Sequence, residues 1–329
     1  MPVTDIPDDI WSYIAEMLPL NTLRDMLTVN RVFFEMAMNA RYREVSFLHI
    51  DSNTIRLLQR LKYVEMFLKF ELNSPIHDRD PNVAKRVRHL RVNPMWFKPP
   101  ESVSFAGGRV RRWYSEFRFF GGSASKFRIL DTERPVIQAM TIDLVGSFRN
   151  VTRYTIVTRY HPNPANLIPF LAIAWKSFGS NLRRLTLNAP LGGFETLIAT
   201  SGDLDALEDL NLRFSTDVAT EDTAEDMATM LRLVVPFINS LSSTLRSLTI
   251  LSSAFQDHTA FFHSLGHFPK LLSFALYIAF NPPLISDPSG LTRFLNDHAE
   301  TLQHVTLQPH ISFRSFPSSE SANNTSVHG

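Results

Sequence analysis

The chain of 329 residues carries 33 Lys and Arg against 32 Asp and Glu, is 44% apolar and contains no cysteine. This composition provides material for a large core, and the lack of cysteine excludes disulfide bonds, thiolate zinc sites and thioester catalysis. No apolar run approaches the roughly 20 residues that span a bilayer, and the N-terminus lacks the basic region of a signal peptide. We therefore expect no membrane partner and a cytoplasmic or nuclear location.

Charge is distributed unevenly along the chain. Residues 1–160 hold 24 Lys and Arg against 17 Asp and Glu, whereas residues 161–329 hold 9 against 15. A basic block at 85–134 and an acidic block at 203–226 account for most of this difference. Two solvated faces that attract each other would explain the pattern, and a polar partner site is the alternative.

The first 34 residues are predicted to form short amphipathic helices. Apolar residues recur every three or four positions from Ile6 to Leu18, which places them on one helical face. Pro7 suits the first turn of a helix, where its missing N–H would have no partner. Pro19 ends this helix, and Asn21 can cap a second one.

This segment resembles an F-box. Ile6-Pro7 is followed by an acidic pair, by Ile10, and later by a Leu-x3-Leu-x-Val-x3-aromatic pattern that ends at Phe33 without a gap. Phe33 stands where many members carry Trp, and Ile6 stands where Leu is usual. Residues 40–47 resemble the strand that follows the box in fungal-type F-box proteins.

The resemblance implies a partner. F-box domains dock on the small Skp-family adaptor of a cullin–RING ubiquitin ligase. Because a chain without cysteine cannot carry ubiquitin as a thioester, only a non-catalytic role as substrate adaptor remains. The alternative is that these residues are the ordinary core of a helical N-terminus. The candidates for the docking face are Ile6, Pro7, Ile10, Trp11, Leu23, Val29, Asn30 and Phe33.

A frame of the form apolar-x-x-apolar-x-apolar recurs behind this segment. Its last two apolar positions have a period of two, which is typical of a strand with one buried face. Helical patterns fill the intervals at 54–70, 134–147, 165–178, 222–240, 257–266 and 288–299, so we predict strands that pair in parallel. The copies are anchored at Leu90, Tyr154, Leu185, Leu210, Leu248, Phe274 and Val305.

The frame resembles leucine-rich repeats, in the irregular form common in F-box proteins. The resemblance implies an α/β solenoid, with parallel strands on the concave face and helices on the convex face. The anchors from Tyr154 onward are 25 to 38 residues apart, and the asparagine that follows each strand in regular repeats is mostly absent, with Asn93 and Asn188 as near matches. We therefore expect no regular asparagine ladder. An ordinary α/β domain is the alternative.

These patterns divide the chain into five parts. They are an F-box at 1–47, a linker helix and first repeat at 48–92, an aromatic and basic insertion at 93–133, degenerate repeats at 134–313 and a disordered tail at 314–329. The insertion has a composition that can suit single-stranded nucleic acid. A loop whose aromatic side chains pack on the domain is the more ordinary explanation, and we do not expect a nucleic-acid partner.

Residues between the inward-facing leucines are predicted to lie on the concave face, where a target protein would bind. Arginines on the early strands could pair with an acidic or phosphorylated peptide, although surface solubility also explains them. The recurring Thr residues need no function, because Thr has high strand propensity. The substrate-facing candidates are Arg91, Arg153, Arg184, Asn188, Asn211, Arg213, Tyr277 and Gln308.

The sequence gives little indication of catalysis. It contains no nucleophile elbow, phosphate-binding loop or H-E-x-x-H motif. His258, His263 and His267 are close in sequence but have no carboxylate at a ligand spacing in the same helix. We therefore expect no catalytic residues, no metal and no cofactor. A non-catalytic subunit of a Skp–cullin–F-box ligase is the leading hypothesis, and a repeat scaffold outside any ligase is the alternative.

Overall fold

The computed structural model describes most of the predicted repeats and the N-terminal helices. The predicted insertion beyond Pro94, the tail at 314–329 and most of the helix predicted at 54–70 lie outside the described residues. The residues described are 6–49, 83–94, 134–157, 164–190, 204–215, 227–252, 258–278 and 285–309, with Thr54, Leu57, Leu58 and Phe194 as single positions.

Helices and strands alternate along the described chain. The helices are α1 (Asp8–Met17), α2 (Leu20–Asp25), α3 (Arg31–Tyr42), α4 (Val83–Arg86), α5 (Arg134–Ser147), α6 (Pro164–Phe178), α7 (Val235–Ser240), α8 (Thr259–Ser264) and α9 (Ser289–Asp297). The strands are β1 (Glu44–Phe47), β2 (His89–Val92), β3 (Arg153–Val157), β4 (Arg184–Pro190), β5 (Asp209–Ser215), β6 (Ser247–Ser252), β7 (Ser273–Ile278) and β8 (His304–Pro309). A π-helical turn, Met230–Val234, leads into α7.

The strands form one eight-stranded sheet in which every pair is parallel and the order follows the chain from β1 to β8. The predicted α/β class with parallel pairing is therefore confirmed. The anchors of the sequence frame share one row of the sheet, since Leu90 pairs with Tyr154, and the row continues through Leu185 and Leu210 to Val305. In each strand, the anchor lies two positions before the other apolar residue of the frame. The strands therefore pair in the same register in every repeat.

The hydrophobic core lies on one face of this sheet. Along β2, β6 and β7 the residues alternate between partly exposed and buried, as a period of two requires. The first residue of most frames is fully buried too, as at Val87, Val151 and Leu182. The helices cover this buried face over most of the sheet, but Val305 and Leu307 of β8 are 48% and 43% exposed. The other face, the open face, is left to solvent.

The backbone joins successive repeats in the same way each time. The carbonyl oxygen of Arg43 accepts hydrogen bonds from the N–H groups of Arg88 and His89, both at 2.9 Å. The same double acceptance recurs at each later junction, ending at Leu272, whose carbonyl receives the N–H groups of Gln303 and His304. The repeats are therefore equivalent in their stacking although their lengths differ, which is compatible with a solenoid-like fold.

Asparagine side chains connect the first repeats at a few positions, mostly not the one after the strand that regular repeats use. The side-chain amide of Asn93 donates to the Leu48 carbonyl at 3.4 Å. At the opposite ends of the strands, the amide nitrogens of Asn150 and Asn181 donate to the carbonyls of Lys85 and Arg149 at 2.8 and 3.0 Å. Both asparagines directly precede the first apolar residue of a frame, at Val151 and Leu182.

Replacing Asn181 by Ala should lower the free energy of unfolding by about 1 kcal/mol, because the hydrogen bond to Arg149 is lost. Urea unfolding followed by far-UV circular dichroism measures this change. Asn296→Ala, at an exposed asparagine of α9, is the control and should have a smaller effect. Equal losses in both variants would contradict a bridging role for Asn181.

A buried histidine connects the last two repeats. The Nε2 atom of His298 accepts the N–H of Phe268 at 2.8 Å, and its Nδ1–H donates to the Phe294 carbonyl at 2.6 Å. A neutral imidazole ring with its proton on Nδ1 makes both hydrogen bonds. In the charged ring, the second proton, on Nε2, would point at the N–H of Phe268. Burial, the main cause, lowers the pKa of His298 from 6.5.

Stability should therefore fall on acidification. Below pH 6.5 the unfolded chain protonates His298 while the folded chain does not, so stability is full above this pH and declines toward the lower folded pKa. Urea midpoints measured between about pH 7.5 and 5.5 test this expectation. His298→Gln should flatten the pH dependence, whereas His304→Gln, at an exposed position, should leave it unchanged.

Candidate docking surface on the N-terminal helices

The N-terminal helices enclose a small core of their own. The residues buried in it are Ala15 from α1, Leu23 from α2, and Phe33 and Ala37 from α3. The rings of Trp11 and Phe33 meet edge to face with their centroids 5.6 Å apart. A core of this size is small for independent stability, so the helices depend on their attachment to the repeats.

The helix boundaries differ from those predicted. Asn21 lies inside α2 rather than at its cap, and Pro19 precedes that helix. The capping residue is Asn30 instead, whose Oδ1 accepts the N–H of Phe33 at 2.9 Å and so begins α3. Asn30, predicted to face a partner, therefore holds the start of a helix.

The outer surface of α1 is an exposed apolar stripe. Ile10, Tyr13 and Met17 follow one another at three and four residues and are 47%, 59% and 66% exposed. Further exposed apolar side chains adjoin them in sequence, before α1, at the start of α2 and in the turn before α3. We call the whole set the outer patch, which consists of Ile6, Ile10, Tyr13, Met17, Leu20 and Val29.

The predicted docking residues divide between surface and interior. Ile6, Pro7, Ile10 and Val29 are exposed, and Trp11 and Asn30 are half-buried. Leu23 and Phe33 are buried, so our expectation that they contact a partner directly is corrected: they support the helices from inside.

Tyr13, Met17 and Leu20 were not among the predicted docking residues. The spacing from Ile10 to Tyr13 and Met17 was the available signal, but Trp11, Ile14 and Leu18 give α1 a second apolar face with equal periodicity. The face that packs against Leu23 and Phe33 is the second one.

Helix α3 attaches this unit to the repeats. Met38 and Tyr42 belong to the main core, while Phe33 on the same helix belongs to the smaller one. The buried guanidinium of Arg86 reinforces the junction, since its Nη2 lies 2.6 Å from Oε2 of Glu35. α3 thus covers the first repeat, whereas the outer patch on α1 and α2 stays uncovered.

The register distributes the substrate-facing candidates over three rows of the open face. Arg153 and Arg184 are neighbours in the first row, Arg91 and Asn211 lie in the second, and Asn188, Arg213, Tyr277 and Gln308 lie in the third. All of them are exposed or partly exposed. The arginines do not form one column, because they occupy different positions along their strands.

Three of these arginines have partners on the protein itself. Arg184 Nε lies 2.6 Å from Asp209 Oδ2, and Arg91 Nη1 lies 3.6 Å from Glu44 Oε1. The Nε–H of Arg213 donates to Oδ1 of Asn211 at 3.4 Å. Burial raises the pKa of Asp209 although the Arg184 charge opposes this shift. Most of the predicted cationic face is therefore occupied by internal contacts.

A Ser-His-Asp cluster at the start of α9 is a helix cap. Asp287 Oδ1 accepts the N–H of Ser289 at 2.8 Å, and the hydroxyl of Ser289 donates to Asp287 Oδ2 at 2.7 Å. Both residues meet the same nitrogen of His263, whereas a catalytic relay uses both ring nitrogens. In the part of the chain that the structure describes, no group of acidic and His side chains could hold a metal ion.

Comparisons with known proteins add no relative. No family model matches the chain, and no curated protein matches it either. None of the described helices is both long and apolar enough to cross a membrane. Fold and surface together define a parallel α/β repeat protein with an exposed apolar patch on an N-terminal helical unit.

Proposed function

We propose that this chain is the substrate-recognition subunit of a Skp–cullin–F-box type ubiquitin ligase. The outer patch docks on the Skp-family adaptor, and the repeats bind a target protein. One observation supports the proposal above all others. The segment that resembles an F-box carries Ile10, Tyr13 and Met17 in a row on its solvent side, while its inner side is already packed.

The energetics favour a partner for this surface. Ile10, Tyr13 and Met17 expose apolar surface on one face of α1, and burying such surface against a partner gains about 25 cal/mol per Å². α1 offers side chains at three- and four-residue spacing, which is how an amphipathic helix fills a groove on a helical partner. Since α3 is fixed to the first repeat, the adaptor and the open face would be held at a defined distance.

Such a subunit would act through proximity. Docking raises the effective concentration of target lysines near a ubiquitin-loaded enzyme carried by other subunits. The chain itself needs no cofactor, no metal and no reactive group for this role. It would work in the cytoplasm or the nucleus, where the adaptor and the ligase are found.

Co-purification of the full-length chain with a Skp-family adaptor is the direct test. The wild type should form a stable complex, and Pro7→Ala combined with Ile10→Asp should lose it. Pro7 is the N-cap of α1, and its ring fixes φ, which is −57°, so that the chain is set to enter the first turn. Absence of a wild-type complex, or retention of binding by the double variant, would refute the proposal.

A repeat scaffold outside any ligase is the second candidate. The observation that favours it is the use of α3 as a cover for the first repeat, through Met38 and Tyr42. In that case the helical unit only covers the end of the solenoid. A unit with that role alone would be expected to bury Ile10 as well. A chain that binds its targets but no Skp-family adaptor would support the scaffold.

A further inference from the structure

A groove of about 1040 Å³ lies where α3 meets the amino ends of the first three strands. Four exposed cationic side chains line it, each from a different place in the fold. They are Arg43 between α3 and β1, Lys85 on α4, Arg88 before β2, and Arg153 at the start of β3. We call these residues with the space between them the cationic groove.

The acidic side chains of the groove already have partners. Glu35 pairs with the buried Arg86 at 2.6 Å, and Glu44 lies 3.6 Å from Arg91 and 3.7 Å from His89. The four exposed cations are therefore not neutralised by the carboxylates beside them. Close to the surface, such an excess of positive charge attracts negatively charged ligands.

The backbone acceptors of the groove wall are also satisfied. The Lys85 carbonyl accepts from the amide of Asn150, and the Asn150 carbonyl accepts from Arg88 Nη1 at 3.1 Å. The carbonyls of Arg43 and Arg88 each receive two N–H groups from the next repeat. Within the described part of the chain, the side chains of Arg43, Lys85 and Arg153 form no ion pair or hydrogen bond.

We propose that the cationic groove binds an acidic segment of a target protein through several of its carboxylates. Four cations spread over separate elements suit a row of negative charges better than one small anion. Among the described residues, no Phe, Tyr or Trp lines the groove, so it lacks the large aromatic stacking surface that single-stranded nucleic acid uses. This proposal rests on the proposed function in one respect, namely that the acidic segment belongs to a target protein.

Fluorescence anisotropy with the full-length chain and a labelled poly-glutamate peptide tests this proposal, with poly-glutamine as the neutral probe. Lys85→Glu combined with Arg153→Glu should weaken poly-glutamate binding about tenfold or more. Arg246→Glu is the matched control, since Arg246 is exposed at the same edge of the sheet, before β6. It should change the affinity less than about twofold.

Equal weakening in the control variant would show unspecific attraction and overturn the proposal, as would unchanged binding in the double variant. A single-stranded oligonucleotide that displaces poly-glutamate at much lower concentration would overturn it too. If the double variant does not fold, Lys85→Gln with Arg153→Gln replaces it. Adaptor binding, measured on the same samples, should be unaffected, so the two proposals can fail separately.

Discussion

Replacing Ile10 and Met17 together by Asp should weaken binding to a purified Skp-family adaptor at least about 30-fold, which corresponds to roughly 2 kcal/mol. Both side chains are exposed on α1, so the substitution removes little from the core. In the complex, however, two carboxylates would replace two apolar contacts at the centre of the interface. Unpaired charges buried in an apolar interface are costly, which makes the expected effect large.

Isothermal titration calorimetry measures this loss, and circular dichroism checks that the variant stays folded. Ile168→Asp is the matched control, because Ile168 is a 39% exposed apolar residue on α6, away from the outer patch. Its adaptor affinity should equal that of the wild type. If Ile168→Asp weakens binding as much, or if the double variant binds normally, the outer patch is not the docking surface.

Replacing Phe33 by Ala should destabilise the N-terminal unit by about 3–5 kcal/mol. Phe33 is fully buried, and its ring packs against Trp11 and the small core of α1, α2 and α3. Few other side chains can move into the cavity that Phe33→Ala would leave. The loss of stability therefore falls on three short helices. Adaptor binding would then be lost indirectly, through unfolding of the surface that carries the outer patch.

Hydrogen–deuterium exchange resolves this effect by region. In Phe33→Ala the amides of α1 and α2 should exchange rapidly, while those of β5, β6 and β7 keep their protection, because they belong to the main core. Val29→Ala, at an exposed position, should cost less than about 0.5 kcal/mol. Uniform loss of protection across the sheet would show that the N-terminal unit is not a separate folding unit.

The strands could be predicted because their signal is local. Each frame places two apolar residues two positions apart, and the same frame fixes the register by aligning residues such as Leu185 and Leu210. The ion pair between Arg184 and Asp209 could also have been predicted from the sequence, since both residues directly precede these anchors. A comparison of equivalent positions in neighbouring strands identifies this pair, whereas the arginines taken as one set do not.

The helix boundaries at the N-terminus could not be predicted from the local sequence pattern. Asn21 and Asn30 are equally suitable caps by residue type, and the choice depends on where the chain turns between α2 and α3. The turn at 26–29 places Asn30 so that its side chain reaches the N–H of Phe33. This geometry arises from packing of α3 against α1, which the sequence alone does not specify.

The exposed face of α1 could not be predicted for a related reason. Both sides of this helix are apolar, and only the position of Phe33 decides that Trp11 turns inward while Tyr13 turns outward. The cationic groove had the same limitation. Lys85 and Arg153 are 68 positions apart in sequence and meet only because β2 and β3 are adjacent.

Exchange of the wild-type chain, with and without a purified Skp-family adaptor, is the most direct test of the docking surface. The adaptor should increase protection of amides across α1 and α2, and leave those of β6, β7 and β8 unchanged. Protection confined to the repeats, or no change in either region at saturating adaptor, would contradict docking through the outer patch.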